Sequence, residues 1–75
     1  MKTVSVKLPL AEQIKTFVNV VSKFPYEMDL RAGRYVVDAK SILGILSLDL
    51  GKPITMEIYS DECDDLLAAI QSFLA

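Results

Sequence analysis

Lys40-Ser41-Ile42-Leu43-Gly44-Ile45-Leu46-Ser47-Leu48 is the stretch on which the reading of the fold turns. Ser41 is a good helix N-cap, because its hydroxyl oxygen can accept from a first-turn N–H that has no partner inside the helix. The spacing predicts a short helix from Ser41 to Leu48, with Ile42, Leu43, Ile45, Leu46 and Leu48 placing apolar groups around most of it. One side of such a helix should lack core to bury against. Asp49-Leu50-Gly51-Lys52-Pro53 then breaks the chain with glycine and proline.

On the N-terminal side, Glu27 to Arg31 and Arg34 to Ala39 alternate between apolar and charged residues, with Met28 and Leu30 on one run and Tyr35, Val37 and Ala39 on the return. They read as a β-hairpin joined across Ala32-Gly33, where glycine can take the positive φ of a tight turn. Further back, Ile14, Phe17, Val18, Val21 and Phe24 recur at spacings of three and four, one apolar face of a helix over Leu10 to Phe24. Pro25 stops that helix and Pro9 can open it. Val4, Val6 and Leu8 alternate with Thr3, Ser5 and Lys7, giving a half-buried strand from Thr3 to Leu8.

On the C-terminal side, Ile54 to Tyr59 alternates as a fourth strand. Ser60 is placed to cap a last helix, with Asp61, Glu62, Asp64 and Asp65 favoured by the positive end of its dipole. Cys63, Leu66, Leu67, Ile70, Phe73 and Leu74 make the apolar face of that helix. The order β-α-β-β-α-β-α predicts an α+β two-layer open-faced sandwich, a four-stranded antiparallel sheet with its helices on one face.

Seventy-five residues predict a single domain spanning 1–75. So short a chain buries only about 60% of its unfolded surface, so its stability is marginal. A hydrophobic content of 52% still argues for a packed globule. The one cysteine, Cys63, has no intramolecular partner for a disulfide, which suits a reducing compartment. With no signal-like or membrane-spanning apolar run, the expected address is the cytoplasm. Net charge is −2 with scattered basic residues, so neither nucleic acid nor a membrane surface is an expected partner. Paired carboxylates, a hydrolytic triad, a glycine-rich phosphate loop and metal-spaced Cys/His sets do not appear. The expectation is a protein that is not an enzyme and needs no cofactor or metal.

The Lys40–Leu48 stretch resembles the Lys-Ser-Ile-Met-Gly-Val-Met-Ser-Leu segment of the HPr family, phosphocarriers of the bacterial sugar phosphotransferase system. It matches at Lys40, Ser41, Ile42, Gly44, Ser47 and Leu48, with Leu43 and Leu46 standing for methionines and Ile45 for valine. Ser22-Lys23-Phe24 precedes Lys40 at the family's spacing without a gap, and the element order agrees throughout. The resemblance implies the HPr-like sandwich. It does not carry over the carrier chemistry, because the family's Gly-x-His-Ala-Arg-Pro motif has no counterpart in Lys7-Leu8-Pro9-Leu10-Ala11-Glu12-Gln13 and the chain contains no histidine at all. Phosphotransfer needs an imidazole nucleophile and a nearby cation; Leu10 supplies neither, and Glu12 repels phosphate.

Two readings stand beside each other at each candidate site. Ser41 matches the family's regulatory serine, where phosphorylation would put about −1.5 to −2 charge at a helix N-terminus; alternatively it is a cap alone. Ile42, Leu43 and Leu46, with Lys40 beside them, match the apolar patch that HPr-like proteins present to partners; alternatively they turn inward as core. Cys63 reads as core more readily than as a reactive thiol, and the acidic run reads as a solvated first turn more readily than as a metal cluster. Arg31, Arg34 and Lys40 flank the hairpin and read either as a group that meets a phosphate or an acidic partner, or as scattered solubilising charge. The resulting expectation is an HPr-like regulatory or docking module whose partners are phosphotransferase-system enzymes, a serine kinase or a transcription regulator. Its rivals are a phosphocarrier using a non-histidine site and a structural module that keeps only the fold.

Overall fold

In the computed structural model, which describes residues 1–75, the order expected from sequence is present: β1 (Lys2–Val6), α1 (Ala11–Val21), β2 (Met28–Ala32), β3 (Tyr35–Asp38), α2 (Ile42–Leu46), β4 (Ile54–Ile58) and α3 (Asp64–Ala69), followed by a 3-10 turn at Gln71–Phe73. The sheet runs β1-β4-β2-β3 with every neighbour antiparallel. Register places Val4 opposite Met56, Met56 opposite Leu30 and Leu30 opposite Val37. Because side chains alternate along a strand, that row faces the helices. The next row, Ser5, Thr55, Arg31 and Val36, faces away from them. Arg31 donates to Glu57 on that open face at 3.1 Å, so it is a cross-strand pair there rather than a scattered charge.

The core is wholly apolar and is built from Val6, Met28, Leu30, Ile54, Met56 and Ile58 of the sheet against Ile14, Phe17, Val21, Ile45, Leu66 and Ile70. Cys63 is among the fully buried residues. Phe17 meets Phe73 edge to face, with ring centroids 5.4 Å apart. Phe73 also anchors the chain end, its carbonyl accepting from Lys7 N–H at 2.8 Å, while Ala75 N–H donates to Ser5 O at 2.9 Å. The free edge of β1 is thereby partly covered by residues 73–75, which limits strand addition there.

Several boundaries differ from the sequence reading. The first strand stops at Val6, although Leu8 remains buried. The first helix starts at Ala11 with Leu10 as N-cap, so Pro9 precedes the cap instead of opening the helix, and it ends at Val21, leaving Phe24 in the turn before Pro25. The hairpin loop is Gly33-Arg34, not Ala32-Gly33, because Ala32 pairs with Tyr35. Gly33 alone has positive φ (59°), at the first loop position as a II′ turn requires. The fourth strand ends at Ile58, one residue short of Tyr59. Ser60 does not cap the last helix: its hydroxyl oxygen accepts from Glu62 N–H in a local turn, and Cys63 holds the N-cap position. The long final helix divides into α3 and the 3-10 turn at Ile70.

Candidate functional site

Leu10 caps α1 in extended geometry (φ −119°, ψ 142°) and is 61% exposed. Its N–H is satisfied by Gln13 Oε1 at 3.2 Å, half of a capping box. A leucine has no acceptor to supply the other half. With Glu12 in the first turn, the positive end of the helix already has an anion of its own.

α2 is positioned by short, local means. Ser41 lies at φ −106°, ψ 109°, and its Oγ accepts from Gly44 N–H at 3.1 Å. Ser47 Oγ donates to Gly44 O at 2.6 Å and closes the other end. Gly44 lets this turn approach β3: a Cβ there would lie 3.1 Å from Val37 Cβ and 3.2 Å from Ser41 Oγ. The cap is one of few bonds holding a five-residue helix, so Ser41→Ala should cost about 1 kcal/mol in urea unfolding.

The five apolar residues of this segment divide by direction. Ile45 is fully buried and Leu48 nearly so, whereas Ile42, Leu43 and Leu46 are 38, 82 and 48% exposed. Gly44 and Ile45 press α2 onto Val37 and the core, which leaves Ile42, Leu43 and Leu46 on the outer side of the turn. α1 packs beside α2, and the exposed Leu10 opens α1. Lys40 is not free: Nζ donates to Phe24 O at 2.9 Å and its N–H to Asp38 Oδ1 at 2.9 Å, so it ties the end of the hairpin to the turn after α1.

The acidic residues near α3 disperse. Asp61 meets the N-terminal ammonium, whose hydrogen bond and charge hold its carboxyl below the usual carboxylate range. Asp65 accepts from Tyr26 O–H at 2.9 Å, which pushes the phenol upward. Tyr59 O–H donates to Asp29 at 2.9 Å on the open face and its phenol is raised for the same reason. Sequence reasoning missed one feature. Arg34, Tyr35 and Lys52 surround a cleft between the hairpin loop and the segment after α2. Arg34 and Lys52 lie 18 positions apart in the chain, and only the packing of α2 on β3 brings them together.

A family model described as "PTS HPr component phosphorylation site" matches residues 3–75. The chain is similar to HPr-C-His from Thermoanaerobacter tengcongensis, with 26% identity and a TM-score of 0.80 over 96% of this chain and 89% of that one. It is similar also to the phosphocarrier protein HPr from Bacillus anthracis str. Ames, with 28% identity and a TM-score of 0.77 over 99% and 94%. A likeness of fold extends to Crh of Bacillus subtilis, at 24% identity and a TM-score of 0.65 over 96% and 88%. No helix is long and apolar enough to cross a membrane.

Proposed function

This chain belongs to the HPr family, and we propose that it acts within it by docking to protein partners, without carrying a phosphoryl group on histidine. The observation that carries this reading is the exposed apolar turn of Ile42, Leu43 and Leu46 in a chain with no histidine. Leucines held outward cost solvation free energy that burial against a partner recovers, at about 25 cal/mol per Å² of apolar surface. Lys40, tied to Phe24 O, serves the interface by fixing the base of α2. Function resides in sites more than in folds, and the carrier's site is replaced here by Leu10 and Glu12. Partners on this reading are cytoplasmic proteins of sugar phosphotransferase regulation: its enzymes, a serine kinase or a transcription regulator.

Ser41 is the proposed control point. Its oxygen accepts from Gly44 N–H and its residue is only partly buried, so a phosphoryl group there would retain acceptors for that N–H and add charge beside Ile42 and Leu43.

Two incubations test the proposal. With the system's phosphoenolpyruvate-dependent enzyme and radiolabelled phosphoenolpyruvate, the chain should take up no acid-labile or thiol-linked phosphate; such label would restore the carrier reading. With a serine kinase of this family and ATP, intact mass should rise by one phosphoryl group and Ser41→Ala should abolish the gain. An unchanged mass would remove the regulatory part.

A further inference from the structure

The larger of the two clefts in the chain, about 700 Å³, lies between the β2–β3 loop and the segment that follows α2. Ala32, Leu48 and Pro53 supply its apolar lining, and Arg34, Tyr35 and Lys52 supply donors. The volume falls within the ~300–1,000 Å³ typical of small-molecule sites.

Charge decides what fits. The chain's two ion pairs are Met1–Asp61 and Arg31–Glu57, so Arg34 and Lys52 have no carboxylate partner. The single acid in the lining, Asp49, turns Oδ1 back to accept from Gly51 N–H at 3.1 Å. Two unpaired cations, one of them a planar fork suited to a tetrahedral anion, thus share a concavity with one internally bonded acid. Tyr35, 69% exposed, lines the same space. The Gly33 backbone is uncovered, with open space where a Cβ would stand.

We propose that this cleft binds a phosphate monoester carried on a flat apolar group, with Arg34 and Lys52 on the phosphate and Tyr35 beside the flat part. The cleft adjoins the C-terminal end of α2 at Ser47 and Leu48, but none of Ile42, Leu43 and Leu46 lines it.

Titration of the ¹⁵N-labelled chain with phenyl phosphate in buffered salt tests this, with inorganic phosphate and phenol as comparison probes. Saturable amide shifts are expected at residues 32–35 and 47–52, tighter for phenyl phosphate than for either part alone. Arg34→Gln and Lys52→Gln should each weaken binding about ten-fold, as loss of one charge-assisted hydrogen bond predicts. Both side chains lie outside the core, and unchanged circular dichroism will confirm the fold of the variants. Leu43→Asp should leave this binding unaltered, so failure of the docking proposal and failure of this one are distinguishable. Absence of saturable shifts, shifts centred elsewhere, equal affinity for inorganic phosphate, or undiminished binding by both glutamine variants would each overturn the proposal.

Discussion

Phe17→Ala should take a large share of the stability of this chain, lowering it by about 3–5 kcal/mol. Phe17 is fully buried on the inner face of α1 and its ring meets Phe73 edge to face. The lost contact also loosens the residue whose carbonyl accepts from Lys7 N–H and so holds the chain end against β1. A domain of this length has about 4–11 kcal/mol in all, at roughly 0.05–0.15 kcal/mol per residue. The variant should therefore unfold about 12–40 °C below the native chain and at lower urea, since each kcal/mol shifts Tm by about 4–8 °C at this size. Circular dichroism during urea and thermal unfolding measures it. Phe17→Leu keeps most of the apolar volume and should lose clearly less. A loss below about 1 kcal/mol for the alanine variant would show that the α1–Phe73 contact is not part of the core.

Leu43→Asp should abolish partner capture while leaving the fold intact. Leu43 is the most exposed apolar residue of α2, at 82%, so a carboxylate there remains in water in the free protein. Its effect on stability should stay within about 0.5 kcal/mol, as for other surface substitutions. In a complex the same carboxylate would be desolvated among apolar groups with no partner, which costs several kcal/mol and at least about a hundred-fold in affinity. The comparison is binding of the native and Leu43→Asp chains to the phosphoenolpyruvate-dependent enzyme of the phosphotransferase system. Undiminished binding by a folded variant would exclude the turn as the docking surface. Unfolding of the variant would place Leu43 in the core.

The architecture was readable because apolar period and turn chemistry agree along nearly the whole chain. Val4-Ser5-Val6, Ile54-Thr55-Met56 and Ile14 to Val21 each carry a single unambiguous period, and each forms the element that period predicts. Ser60 does not cap a helix because Ser-Asp-Glu also favours a local turn, and its hydroxyl satisfies Glu62 N–H before any helix begins. The last helix ends early for a different reason. Leu66 to Phe73 keeps helical spacing, yet the chain must turn at Ile70 so that Leu74 can bridge to Val6, and tertiary pairing outweighs propensity.

At α2, sequence marked the excess of apolar residues but could not say which would face outward. That division follows from the approach of Gly44 to Val37 and the burial of Ile45, a contact with β3 that helical period does not encode. The Arg34–Lys52 cleft was illegible for the same reason, being made by two loops whose proximity is tertiary.

Amide shift mapping of the ¹⁵N-labelled native chain, titrated with the phosphoenolpyruvate-dependent enzyme in the presence of phosphoenolpyruvate, tests the central claim most directly. Binding should perturb residues 40–48, most strongly Leu43 and Leu46, and the released chain should return to its original spectrum and mass. Perturbation confined to surfaces remote from α2, or a chain that emerges phosphorylated, would contradict it.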